Sequence, residues 1–297
     1  MIKYVSAVVP AERVKNLQLT RFKEDFLEKF VDSSGIVERR ISKHTVEELM
    51  VGAARRLDLD FASLGAVITV TQTPAHQMPG PGFFVCKELG ISGVPIFDLN
   101  CACDGYVKGI MVAELMAHST EKPVLLFAGD TLGSFMPKDS PAVSLIFGNA
   151  ATASLITPGP AYDGEAWSSS IPEGAHHLMS EKGVPYMNGE AVTHFATSEV
   201  PKFFKKHGIQ GDSYYFHQAN KMILGAIEKR LGLDPKRIPH TFEYFGNTSS
   251  ASIPLTMCMH PPLDDEKRIV LCGFGAGLSI SAIVVNKPDF LIFSELQ

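Results

Sequence analysis

A chain of 297 residues with 45% hydrophobic content buries a large core, so it is globular rather than disordered, and its length accommodates one large domain or two halves. A net charge of −5 without any long basic block argues against a nucleic-acid binder, because phosphate affinity comes mainly from clustered Lys and Arg. Cys86, Cys101, Cys103, Cys258 and Cys272 are an odd set in a chain too large to need disulfide staples, and Met1–Ser6 lacks an apolar signal core; a cytoplasmic protein in a reducing compartment is expected.

In chain order, the apolar patterning predicts a helix over 45–57, strands over 64–71 and 94–99, a helix over 105–118, and strands over 124–128 and 144–156. Such alternation favours layered α/β architecture. The helix after Gly105 is apolar on nearly every side, with Val107, Ile110, Met111, Val112, Leu115 and Met116, which predicts a place inside the protein. Pro158, Gly159, Pro160 and Gly164 then interrupt regular structure, so the chain is expected to divide into 1–157 and 158–297. The second part reads as a helix over 192–207, a strand over 214–216, a helix over 220–231, a small-residue helix after Asn247 and a strand pair within 269–285. That last apolar stretch carries Gly273, Gly275 and Gly277 and falls short of the roughly 20 residues a membrane-spanning helix needs. The runs 97–105 and 242–250 loosely repeat one pattern: an apolar strand, a polar turn, a small-residue helix.

Cys103 lies in Phe97-Asp98-Leu99-Asn100-Cys101-Ala102-Cys103-Asp104-Gly105-Tyr106, where the strand gives way to the helix. Backbone N–H groups and the dipole at a helix start favour thiolate, so Cys103 is the candidate nucleophile. His217 follows a strand and opens a helix, and Asn247 sits in a Gly-Asn turn before another helix. Both placements aim polar side chains at a strand-end crevice. Cys101 and Cys103 form a Cys-x-Cys pair, but without further Cys or His at zinc-like spacing no metal site is expected.

Together, Asp98 five residues before Cys103, the run His217-Gln218-Ala219-Asn220, and Gly246-Asn247-Thr248-Ser249-Ser250-Ala251-Ser252 resemble the β-ketoacyl-acyl-carrier-protein synthase III family of the thiolase-like superfamily. The resemblance runs from Gly35-Ile36-Val37-Glu38-Arg39 to Gly273-Phe274-Gly275-Ala276-Gly277. It implies an α/β fold of two pseudo-duplicated halves stacked as five layers, αβαβα. It also implies a condensing acyltransferase without cofactor: Cys103 takes an acyl group from a thioester, and His217 and Asn247 hydrogen-bond the thioester oxygen of malonyl-acyl carrier protein while CO₂ leaves, giving a 3-oxoacyl product. The backbone N–H groups of Cys103 and Ala276, the latter where the family usually has glycine, are the implied oxyanion hole.

The resemblance implies partners too. Synthase III enzymes that use acyl-CoA clamp the adenine with a tryptophan and an arginine; Lys29 and Pro141 stand at those positions and the single tryptophan is Trp167, so a carrier-protein donor is expected over acyl-CoA. Carrier proteins are acidic, which makes Lys221, Lys229, Arg230, Lys236 and Arg237 the expected docking residues. A homodimer is implied, its sheet continued through the strand over 92–99, with Met78 crossing into the partner's acyl pocket. The stretch from Cys103 to His217 is shorter than usual, which leaves the cap over the site and the acyl-chain length open. The alternatives are a non-decarboxylating, ester- or amide-forming acyltransferase of secondary metabolism and a silent carrier-binding scaffold. The Cys-His-Asn set argues against the scaffold.

Overall fold

The structure, a computed structural model, describes residues 1–297 except 42, 136–139, 160–164 and 182–183. Its first part contains β1 (Ile2–Pro10), β2 (Arg13–Lys15), α1 (Glu24–Ser34), β3 (Glu38–Arg40), α2 (Val46–Ala54), β4 (Ala66–Val70), α3 (Pro81–Leu89), β5 (Ile96–Leu99), α4 (Gly105–Thr120), β6 (Val124–Asp130), α5 (Leu132–Phe135), α6 (Pro141–Ser144) and β7 (Ala150–Ile156). The second contains β8 (Ala166–Ser170), β9 (Leu178–Glu181), β10 (Val184–Met187), α7 (Gly189–His207), β11 (Ser213–Phe216), α8 (Lys221–Leu231), α9 (Phe242–Phe245), α10 (Ser252–Met259), β12 (Ile269–Gly275), β13 (Ser279–Val285) and β14 (Phe290–Leu296).

Two sheets carry the architecture, one ordered β14-β1-β7-β6-β4-β5 and the other β11-β12-β13-β8. Helices α4 and α10 lie between them: α4 packs on β4 and β6 on one side and on β12 and β13 on the other, while α10 meets β1 and β14 as well as β11 and β12. Both faces of each sheet are therefore covered, which explains why β4, β6, β7, β12 and β13 are buried along their full length and read as near-continuous apolar runs. The middle layer is filled by Tyr106, Ile110, Leu126, Ile253, Met257 and Leu271; a fully buried Leu or Ile contributes about 1.5–3 kcal/mol. Helices α2 and α3 cover the outer face of the first sheet, and α7 and α8 that of the second. Five layers, αβαβα, result.

Local chemistry sets the helix starts. Thr45 and Glu48 close a capping box on α2, and the side-chain oxygens of Asn188 and Asn220 cap α7 and α8, each satisfying an N–H that the helix itself leaves open. Strands β1 and β4–β7 lie in the first sheet and β8 and β11–β13 in the second. Strand β14 returns to the first sheet and pairs parallel with β1 from Tyr4↔Phe290 to Pro10↔Leu296, where Glu295 receives Arg13 and Arg40 at 2.9 and 2.7 Å. Of the residues marking the division, Pro160 and Gly164 lie outside the described residues.

Three local expectations are corrected. The strand over 144–156 begins only at Ala150, because α6 ends at Ser144 and the backbone then bends to bridge Phe147 with Asn247. The apolar run from Phe242 is a single helical turn, not a strand, closed by Gly246 at φ 65°; an added Cβ there would lie 2.4 Å from the Ile146 carbonyl oxygen. Helix α4 is sandwiched over most of its surface, yet Leu115 is 71% exposed. The parallel between the two motif runs holds at their turns: each is a short 3₁₀ turn feeding a middle-layer helix, with positive φ at Ala102 (48°) and Ser249 (52°).

Candidate active site

The 3₁₀ turn of Ala102–Asp104 places Cys103 on the lining of a cavity of about 470 Å³. Asn100, Ala102 and Ala276 line it too, with apolar Leu132, Val143 and Phe147, and with Leu178, Met179 and Met187 of the β9–β10 hairpin. The hairpin thus contributes to the lining of the cavity that Cys103 reaches. Ala276 lies in the turn between β12 and β13 and is not among the residues with positive φ, so its Cβ meets no left-handed backbone strain. Gly275 admits no such change: a Cβ would sit 2.9 Å from the Cys103 Cβ and 3.5 Å from its sulfur.

His217 and Asn247 are buried beside the cavity rather than on its wall, and Ser249 ties all three residues together. Its hydroxyl lies 3.6 Å from the Cys103 sulfur. Its backbone N–H donates to Asn247 Oδ1 at 2.8 Å, which leaves the amide nitrogen of Asn247 as the donor end. Its carbonyl faces the His217 imidazole. His217 Nδ1 is 2.8 Å from the Ser252 hydroxyl, and Phe274 packs edge-on to the ring at 5.3 Å. The Ser252 hydroxyl and the Ser249 carbonyl together hold the orientation of the ring.

Burial favours the uncharged forms of both Cys103 and His217. Burial pushes the Cys103 thiol up to about 12, helped by the Asp130 and Asp104 carboxylates, while Ser249 and the backbone N–H pull the other way. Burial also takes His217 down to about 3. Position at a helix start therefore does not by itself yield a thiolate, because desolvation outweighs the local dipole. Asp104 anchors the turn through Ser281 and Lys108, both at 2.9 Å, and burial raises its carboxyl to about 6.

The remaining motif residues hold the scaffold. Asp98 accepts from Thr69 Oγ1 and from the Gly82 N–H, tying the first turn of α3 to β5. Gln218 accepts the Thr241 N–H at 2.8 Å, tying the His217 motif to the residue that opens α9. Cys101 lies off the cavity, and burial raises its pKa too.

Met78 is 90% exposed and does not line its own chain's cavity. Lys29 is exposed on α1 and Pro141 opens α6; Trp167, on edge strand β8, packs near His207. Lys221, Lys229, Arg230, Lys236 and Arg237 are all exposed, although Arg230 donates to the Thr197 carbonyl and the Ser198 hydroxyl. The sequence reading missed Ser249, Ser252 and Gln72, the last of which lines the cavity; the first two belong to the quoted Asn247 motif, and no pattern singled out Gln72.

Two family profiles match, 3-oxoacyl-[acyl-carrier-protein (ACP)] synthase III over residues 97–172 and its C-terminal counterpart over 210–287. A Campylobacter jejuni relative assigned as a 3-oxoacyl-[acyl-carrier-protein] synthase 3 is 30% identical, with 84% of this chain and 79% of the relative covered. The chain belongs to the 3-oxoacyl-[acyl-carrier-protein] synthase III family. A β-ketoacyl-[acyl-carrier-protein] synthase III from Bacillus pumilus is 29% identical over 94% of this chain and 96% of its own. The crystal structure of a 3-oxoacyl-(acyl-carrier protein) synthase from Burkholderia xenovorans LB400 superposes with a TM-score of 0.90 at 25% identity, covering 99% of this chain and 96% of that one. This synthase III-family chain is accordingly a thiolase-like, acyl-transferring condensing enzyme. Among the described residues, no helix is long and apolar enough to cross a membrane.

Proposed function

We propose that Cys103 attacks an acyl thioester, expels its thiol and holds the acyl group, which then passes to the carbon nucleophile formed when malonyl-acyl carrier protein loses CO₂. The product is a 3-oxoacyl-carrier protein, and Cys103 returns as the free thiol. In this reading the N–H groups of Cys103 and Ala276 receive the oxyanion of each acyl-transfer step, and His217 and Asn247 receive the enolate oxygen. The observation that supports it is the joining of Cys103, His217 and Asn247 through Ser249 beside an apolar-walled cavity.

The deciding experiment loads the protein with a panel of acyl-CoA and acyl-carrier-protein donors, follows the mass of the intact chain, and then adds malonyl-carrier protein to measure CO₂ and 3-oxoacyl product. Loading from carrier-protein donors, followed by stoichiometric CO₂, is expected. Efficient loading from CoA thioesters alone would contradict the donor preference, and loading without CO₂ would point to an ester- or amide-forming acyltransferase.

The same reading places the carrier protein on the exposed cations from Lys221 to Arg237, and the enzyme in the cytoplasm. It also makes the enzyme a homodimer. Strand β5 is an open sheet edge, with Phe97 38%, Phe83 53% and Met78 90% exposed around it. A second copy pairing there covers that edge and carries Met78 toward the partner's acyl cavity. Light scattering at micromolar protein is expected to give twice the 32.3 kDa chain mass; a monomer would remove both the interface and the role of Met78.

A further inference from the structure

Gln72 follows β4, more than a hundred residues from the Asn247 motif, yet its side-chain Nε2 donates to the Ser249 hydroxyl oxygen at 2.7 Å. That oxygen is the one lying 3.6 Å from the Cys103 sulfur. Ser249 therefore accepts one proton from Gln72 and has its own left to give. Two acceptors are within its reach, the Cys103 sulfur and the Asp130 carboxylate. Asp130 is already supplied by the Gln72 backbone N–H at 2.8 Å, the Ser250 hydroxyl at 2.7 Å and the Thr71 hydroxyl at 3.1 Å, whereas Ser249 is the side-chain partner of the sulfur.

We propose that Gln72 and Ser249 are a positioning pair for the nucleophile: the Gln72 amide anchors the Ser249 oxygen, and the Ser249 hydroxyl turns its proton onto the Cys103 sulfur as negative charge develops there. The groups facing that sulfur make such a donor matter. Asp130 at the end of β6 and Asp104 in its own turn disfavour a thiolate, Lys108 on α4 is engaged with Asp104, and His217 is held neutral. A hydroxyl that rotates between carboxylate and sulfur supplies a donor when needed and binds no net charge at rest.

The proposal rests on Cys103 as the nucleophile, but its test reads the thiol itself and needs no acyl donor. Alkylation of Cys103 by iodoacetamide is followed by peptide mass spectrometry across neutral to alkaline pH. For Ser249→Ala, loss of a hydrogen bond to a charged sulfur predicts roughly ten- to a hundredfold slower alkylation, the alkaline rise moving up by about one to two pH units. Gln72→Met, which keeps length but removes the donor, is expected to be about three- to tenfold slower than wild type. Gln72→Glu is expected to be slower again, because a carboxylate attracts the Ser249 proton and adds charge near the sulfur. In a Ser249→Ala background, Gln72→Met is expected to add nothing. A folded Ser249→Ala protein with the wild-type profile would overturn the proposal, as would an additive double variant. If Ser249→Ala fails to fold, the two Gln72 variants decide, and wild-type profiles for both overturn it.

Discussion

Cys103→Ala is expected to give a folded protein on which no donor leaves an acyl group. The change removes one buried sulfur from a turn anchored independently, by Asp104 to Ser281 and Lys108, so its cost in stability is about 1 kcal/mol. Its cost in chemistry is of another order, because loss of a covalent nucleophile in other enzymes slows turnover on the order of a millionfold. Intact-mass spectra with matched thermal melts separate the two effects. Cys101 is the internal control, since it lies off the cavity. Acyl label persisting on Cys101, or wild-type protein that no donor loads, would overturn the assignment.

The second large effect divides the chemistry between residues. Asn247→Ala removes the amide donor but leaves the thiol and the backbone groups of Cys103 and Ala276 in place. Acyl loading is expected to change little, while CO₂ release from malonyl-carrier protein by acyl-loaded enzyme falls a hundredfold or more, as for a lost transition-state donor worth about 3–4 kcal/mol. Asn247 has a second task, accepting the Ser249 N–H at 2.8 Å. Asn247→Asp keeps that acceptor and loses the donor. Its decarboxylation is expected to be as poor as that of the alanine variant, which assigns the loss to the missing N–H group rather than to a displaced Ser249. Unchanged CO₂ release in either variant would take Asn247 out of the reaction.

How far the chain can be read without its structure depends on the range of the physics involved. The nucleophile turn was legible because Phe97 to Tyr106 writes strand, polar turn and helix in adjacent letters, and the β12–β13 pair because glycines interrupt an apolar run. The turn at Phe242–Phe245 was not, since three aromatic residues around Glu243 are too short a run to carry a period that separates helix from strand. What acts on the Cys103 thiol is only partly local: the helix start is written beside it, whereas Asp130 and the enclosing layers arrive from elsewhere in the chain. Ser249 was hidden in plain view among Thr248, Ser250 and Ser252, hydroxyls that a motif cannot rank until the fold brings Gln72 and Cys103 to one of them.

The pairing of β14 with β1 reaches beyond the finished molecule. Strands β1 and β14 lie roughly 280 residues apart in the chain, so at about 5–20 residues per second one edge of β1 waits on the order of tens of seconds for its native neighbour. During that interval an apolar edge is open to strands from other nascent chains. The edge of the first sheet thus stays open to mispairing until Phe290–Leu296 emerges, whatever the state of the chemistry at Cys103.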